Sequence, residues 1–236
     1  MLITYLIPVY NEKKTIKKAI IQAIRIPIKK KEIIIIDNNS TDGSTEIIKK
    51  FAKKKNINVI LRHKDLGFGA TIHEGIKKAK GKYIFIHYSD LEYDINASSK
   101  MLKIAEKKKL DVIFASRLIN KLKTQNFITI IYKRPFYLAS FVLTKMINFL
   151  FNKNFTDIIG TKIIKKKAII NILPKKSNIG LDVEINAMLS HKKFKSQEVY
   201  IKYTPRENFL EKKVKWWHIF NFTIAIFKVR FNNFFS

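Results

Sequence analysis

Asp90 and Glu92 stand two residues apart, immediately beyond the apolar run Tyr83–Ile86. In a turn both carboxylates can reach one hard cation. Mg2+ or Mn2+ held by one or two carboxylates plus substrate phosphates is the common arrangement for diphosphate-bearing ligands. Such a cation neutralises charge that grows on a departing diphosphate. Acidic turns are also common on ordinary surfaces, so the pair alone decides nothing. Asp37 follows a second apolar run at 33–36, where a carboxylate can accept hydrogen bonds from a nucleobase or ribose. The same residue, in Asp37-Asn38-Asn39-Ser40, also reads as an Asx-turn or a helix N-cap. Gly67-Phe68-Gly69 opens a helical stretch and lets backbone approach a ligand closely, as phosphate-binding turns do. No third glycine follows at the offset of the dinucleotide fingerprint, which excludes a Rossmann dehydrogenase. His63, His73, His87, His191 and His218 lack metal-ligand spacing, and no Gly-x-Ser-x-Gly elbow occurs, so hydrolase chemistry has no support.

These residues need elements to carry them. Short β-branched runs at 2–7, 33–36, 58–61, 83–86 and 112–115 alternate with helical patterns at 13–26, 44–54, 69–80 and 97–109. That alternation predicts βαβ units and a mostly parallel sheet flanked by helices, an α/β fold. Strands that are apolar throughout suit a sheet covered on both faces. Ligands of such sheets bind outside the carboxyl ends of the strands. The residues found there are Pro8-Val9-Tyr10-Asn11-Glu12, then Asp37 to Gly43, then Tyr88-Ser89-Asp90-Leu91-Glu92-Tyr93-Asp94. Asp90 and Glu92 are therefore expected at the same rim as Asp37 and Glu12. Further on, 157–173 returns to a strand-plus-helix pattern, 181–189 reads as a helix and 197–203 as a strand.

The 236 residues, 47% hydrophobic, suffice for one sizeable core with an appended region. Absence of cysteine rules out disulfides and thiolate metal sites. The opening residues run straight into a strand-like stretch without a basic n-region, so no signal peptide is expected. Lys and Arg number 47 against 18 Asp and Glu, a formal charge of +29. Such a field attracts nucleic acid, anionic headgroups or phosphorylated ligands, although Lys-rich solvated helix faces account for it equally. No nucleic-acid module is present, so no specific nucleic-acid partner is expected. The segment 124–151 is aromatic and apolar but broken by Lys133, Arg134, Pro135 and Lys145, unlike a clean spanning helix. The tail at 214–234, with Trp216, Trp217, Phe220, Phe227 and Phe231 among Lys215, Lys228 and Arg230, has the composition of an interfacial helix, or of an amphipathic helix packed on a core.

Taken in order along nearly the whole chain, the pieces at 7–12 (IPVYNE), 33–43 (IIIIDNNSTDG), 66–85, 89–94 (SDLEYD), 115–117 (ASR), Thr156-Asp157 with Lys162, and 198–206 with 211–217 resemble the family 2 glycosyltransferases. The resemblance is to the branch of dolichyl-phosphate mannose synthase and bacterial polyprenyl-phosphate sugar transferases. It implies the GT-A fold over residues 1–210, including a membrane-facing helical segment at 124–151, followed by an amphipathic helix at 211–236. It implies a nucleotide-diphosphate sugar donor cradled by Pro8, Tyr10, Glu12, Asp37, Asn38, Gly67 and Ser89. Asp90 would bind Mg2+ or Mn2+ with help from Glu92. Arg117, Lys162 and Arg206 match basic positions near phosphates, and Arg117 and Arg134 would meet a lipid phosphate. Tyr88 stands where the first Asp of the family's D-x-D belongs.

The reaction this implies is a single inverting displacement at the anomeric carbon. A polyprenyl phosphate acceptor is already anionic and requires no strong base. A glycan hydroxyl acceptor would call for a positioned carboxylate. Asp182 and Glu184 are the candidates, unless they are helix N-terminal charges. The expected setting is the cytoplasmic face of an anionic membrane, held peripherally and serving cell-envelope glycan assembly. Donor base, sugar and oligomeric state are not encoded legibly.

Overall fold

The computed structural model describes residues 1–133, 135–170, 172–173, 180–192, 194–205 and 218–231. Seven strands form one sheet in the order β3-β2-β1-β4-β6-β5-β7. They are β1 (Ile3–Val9), β2 (Lys31–Asp37), β3 (Ile57–Leu61), β4 (Tyr83–Ile86), β5 (Val112–Ser116), β6 (Lys162–Lys165) and β7 (Ser196–Tyr200). β1 pairs in parallel with β2 and β4, β2 with β3, and β5 with β7. Only β6 runs antiparallel, between β4 and β5. The α/β, mostly parallel architecture read from the sequence is the one observed.

Period-two alternation assigns the strand residues to two cores. Leu6, Ile34, Ile36, Ile84, Ile86, Phe114 and Ile164 face one layer. Helices α3 (Gly67–Lys78), α7 (Phe136–Phe151), α8 (Lys166–Ile170), α9 (Leu181–His191) and α10 (His218–Phe231) cover it. Tyr5, Ile7, Ile33, Ile35, Phe85, Ile113 and Ile163 face the other, beneath α1 (Ile16–Arg25), α2 (Ser44–Lys49) and α4 (Ala97–Lys107). Continuous apolar runs such as 33–36 follow from this double coverage. α3 lies so close to β1 that a Cβ on Gly75 would stand 2.2 Å from Leu6 Cδ1, so a larger residue there would force the fully buried Leu6 side chain to move.

Several boundaries differ from the sequence pattern. α1 begins at Ile16 rather than at 13, because Thr15 Oγ1 bonds back to Glu12 Oε2 at 3.0 Å and the chain turns first. α2 stops at Lys49, and residues to Lys54 continue as turns. Residues 121–151 form three helices, α5 (Lys121–Thr124), α6 (Phe127–Lys133) and α7. Leu118, Ile130 and Tyr137 give this region a small core of its own. No described helix is long and apolar enough to cross a membrane. α10 occupies the described part of the tail read as 214–234. It packs on α9 and α7, with Ile226 and Val229 buried in the main core.

His87 continues the line of β4, 1% exposed, with no partner for Nε2 among the described residues. Burial lowers its pKa to about 4, against the opposing pull of the Ala19 carbonyl. A depressed folded pKa means that, as pH falls from 6.5 towards 4, the unfolded chain takes up a proton that the folded one refuses. Stability from this neutral histidine is therefore complete above pH 6.5 and drains away below it. Between pH 7 and 5 the wild type should lose about 2 kcal/mol from this source. Urea titrations of His87→Leu should lack that component of the pH slope.

Candidate active site

The parallel register sets Val9 opposite Asp37 and Leu6 opposite Ile86. Strand ends and the loops after them therefore meet at one edge. The loops are latched to each other. Ser89 Oγ donates to the Pro8 carbonyl at 3.0 Å, and the Asn38 amide to the Val9 carbonyl at 2.9 Å. The Asn11, Glu12 and Lys13 amides reach Ser40 Oγ, Ser44 Oγ and Asp42 Oδ2 at 2.8–2.9 Å. Pro8, Glu12, Asp37, Asn38, Ser89 and Asp90 thus share one rim, as the sequence pattern implied. Tyr10 and Phe68 present exposed rings there.

Asp37 is 1% exposed and organises its own loop. Oδ1 accepts from Ser40, and Oδ2 accepts from Thr45. Asn38 bridges the next loop: its Oδ1 accepts from Arg62 at 3.1 Å and from the Leu66 amide at 3.2 Å, while Nδ2 donates to Asp65. Arg62 follows β3 and is braced by Glu74 at 2.8 Å. Residues after the third strand carried no motif of their own, and position alone was the signal for Arg62. Gly67 adopts φ +80°, a left-handed turn that favours glycine, at the start of α3.

Leu91 is also left-handed, at φ 63°, a strained state for a branched side chain. It turns the chain so that the Glu92 amide donates to Asp90 Oδ1 at 3.1 Å. The Glu92 carboxylate accepts from Tyr203 Oη at 2.6 Å, and its carbonyl accepts from the Thr204 amide. Segment 90–94 is thereby tied to the chain beyond β7, where Tyr93 and Tyr203 form an antiparallel bridge. Burial, then the charges of Tyr93 and Glu92, keep the Tyr203 phenol protonated well above its ordinary range.

Arg117 is held more tightly than a ligand-seeking arginine would be. Nε and an Nη donate to the two oxygens of Asp157 at 2.7 and 2.9 Å, and the Arg117 amide adds a third bond at 3.1 Å. Its guanidinium lies over the rings of Tyr203 and Tyr137, at 5.1 and 5.4 Å. Burial opposes the charge, yet Asp157 outweighs it and raises the Arg117 pKa. Glu198 in turn fixes the Thr156 and Asp157 amides at 2.7 and 2.8 Å. The structure thus gives the arginine of ASR an internal partner instead of an open face. Arg134 and Arg206 lie outside the described residues.

Tyr88, at the position of a missing carboxylate, stacks on Phe68 with ring centroids 6.1 Å apart. Burial, followed by the nearby charge of Asp182, raises its pKa well above the phenol range, and its hydroxyl hydrogen-bonds to Asp182. Asp182 also pairs with Lys162 Nζ at 2.5 Å. Lys162 is wholly buried, and the Asp182 side chain is 22% exposed. Glu184 is separated from this group: burial raises its pKa against the pull of Lys228 on α10, so it belongs to the α9–α10 contact. Of the two carboxylates in Gly180-Leu181-Asp182-Val183-Glu184, only Asp182 is joined to the rim residues.

No three His, Asp or Glu side chains among the described residues form a ready metal cage. The donor set at Asp90 and Glu92 suits a hard cation that arrives with its own phosphate ligands, the usual habit of Mg2+. Asp90 is partly exposed, and Tyr203 engages one oxygen of Glu92.

The fold is that of the GT-A glycosyltransferases. Residues 4–173 match the model of glycosyl transferase family 2, and the chain belongs to that family. It is 33% identical over 102 residues to the cholesterol galactosyltransferase of Borreliella burgdorferi, 43% of this chain and 27% of that protein, so it spans only about a quarter of that relative's length. Crystalline residues 1–349 of S. aureus TarS share the fold at TM-score 0.59 and 15% identity, covering 98% of this chain and 72% of that one. The Pyrobaculum calidifontis mannosyltransferase PcManGT, solved with GDP-Man and Mn2+, does so at TM-score 0.60 and 12% identity, covering 88% and 58%.

Breaking the arginine pair should be costly. Asp157→Ala leaves a buried guanidinium without its counter-charge, and chemical denaturation should show a loss of about 3–5 kcal/mol. The double change Arg117→Met with Asp157→Leu should recover most of it.

Proposed function

We propose that this domain moves a sugar from a nucleotide-diphosphate donor to a polyprenyl phosphate, on the cytoplasmic face of a membrane, by one inverting displacement. The observation that carries the donor half is the convergence of Asp37, Asn38, Ser89 and Asp90 on one rim. There Asp37 and Asn38 would receive the base and ribose, with Tyr10 and Phe68 offering apolar faces. A Mg2+ or Mn2+ held by Asp90 and Glu92 would supply charge neutralisation at the diphosphate, and the PcManGT complex is consistent with this pairing. The acceptor phosphate oxygen attacks the anomeric carbon, forming a new C–O bond as the bond to the donor diphosphate breaks. An acceptor already ionised needs no base. Support for a lipid acceptor comes from exposed Ile128 and Tyr132 on α6 and from the cationic excess.

A hydroxyl acceptor is the second reading, favoured by Asp182. It is a partly exposed carboxylate, hydrogen-bonded by Tyr88 and backed by buried Lys162, in a family that includes an enzyme named for a sterol acceptor. Asp182 would then take the hydroxyl proton. The polyprenyl phosphate reading predicts chloroform-soluble label when radiolabelled nucleotide sugars are supplied with polyprenyl phosphate. It also predicts that a folded Asp182→Asn protein retains this turnover. Label appearing only on hydroxyl acceptors, and lost in Asp182→Asn, would establish the second reading instead.

The cation site makes its own prediction. Calorimetry should detect no tight Mn2+ binding to the protein alone, but roughly tenfold tighter nucleoside diphosphate binding when Mn2+ is present. Asp90→Asn should remove that gain.

A further inference from the structure

Helix α7 buries Leu143 and Ile147, and turns Leu138, Val142 and Phe149 to solvent on its opposite side, with Lys145 in the same row. Phe149 is 87% exposed. Helix α10 repeats the pattern. Ile226 and Val229 are buried, while Phe220, Ile224, Phe227 and Phe231 are exposed. Spacings of four, three and four residues put each set on one helical face. The two helices pack on each other, so the rows are carried by neighbours. Monomeric proteins rarely leave so many large apolar side chains together without an occupant.

Charge identifies the occupant. No Asp or Glu occurs between Asp111 and Asp157, and none follows Glu211, whereas Lys145, Lys228 and Arg230 stand within or beside the exposed rows. Apolar rows on two helices that carry cations and no carboxylate of their own, with Glu184 of α9 the acidic group drawn to Lys228, match the interface of an anionic bilayer. Length decides how the helices meet it. The 16 residues of α7 and 14 of α10 span about 24 and 21 Å, short of the roughly 30 Å hydrocarbon core. Lys145 and Lys228 can bury their stems while the ammonium groups stay among headgroups.

We infer that α7 and α10 together form a docking face for an anionic lipid bilayer and lie within the headgroup layer. The inference rests on the lipid-acceptor reading for its purpose, though not for its observations. It names the surface by which the domain would meet an acceptor confined to a membrane.

Co-sedimentation of the 236-residue chain with unilamellar vesicles tests it. Vesicles containing roughly one third phosphatidylglycerol should bind at least about tenfold more tightly than pure phosphatidylcholine. The combined change Val142→Ser, Phe149→Ser and Phe227→Ser should weaken that binding about tenfold, with an unchanged circular dichroism spectrum. Because the chain lacks cysteine, Ile224→Cys can carry a solvatochromic dye, whose emission should shift to the blue on anionic vesicles. Full binding by the serine variant, abolished for both proteins by about 0.5 M salt, would reveal a purely electrostatic attachment and overturn the inference. So would failure to bind vesicles combined with a dimer that the serine changes dissociate, since a second copy would then own the face. The acceptor reading fails separately: vesicle binding without turnover of detergent-dispersed polyprenyl phosphate sinks the acceptor and leaves the docking face standing.

Discussion

The constraint on which the site depends is the parallel register of β1 with β2 on one side and β4 on the other. Val9 lies beside Asp37, so β1 and β2 end in step, and β4 ends at Ile86 beside Leu6, from where residues 87–89 run on along β1 until Ser89 bonds to Pro8 and the loops meet. Gly75 lets α3 settle against Leu6, and Glu32 ties the opposite end of the sheet to Thr4 Oγ1 and the Gly81 amide. Fully buried Ile34, Ile35 and Leu6 hold that alignment from both faces. A slip of one residue would exchange the two cores and turn the rim carboxylates to the wrong side.

Electrostatics then sort the charged groups. A chain with so large a cationic excess nevertheless pairs its innermost cations individually: Arg117 with Asp157, Lys162 with Asp182, Arg62 with Glu74. An unpaired charge at such depth would be severely destabilising, so the few carboxylates available are committed where burial demands them. Asp90 and Glu92 sit at intermediate exposure, where a cation brought in by a diphosphate can still be reached. Tyr88 fits the same pattern. Its phenol brings no charge beside Asp90 at neutral pH and its hydroxyl holds Asp182.

What was legible in the sequence followed from periodicity and position. The apolar runs gave five of the strands to within two residues at each end, four of them because strands buried on both faces admit little else, and the residues after them gave the rim. Less legible were interactions that depend on distant parts of the chain. Tyr203 meets Glu92 across 111 positions and Asp157 meets Arg117 across 40, separations that local pattern does not encode. For this reason Arg117 read as a ligand-binding cation and is found paired within the protein. Similarly, Asp182 and Glu184 looked equivalent as neighbours on one helix. The packing of α10 separates them, drawing Glu184 towards Lys228 and leaving Asp182 with Tyr88. The exposed rows of α7 and α10 could not be told from core faces by spacing alone, since burial and exposure of an apolar stripe share one period.

The central claim is that the rim at the ends of β1, β2 and β4 receives a nucleoside diphosphate with its cation beside Asp90. Anomalous scattering from crystals grown with a nucleoside diphosphate and Mn2+ tests this directly. The account predicts one manganese peak in contact with the Asp90 carboxylate and the diphosphate oxygens, with the base over Asp37. A nucleotide bound away from Asp37 and Glu12, or manganese held without Asp90, would contradict it.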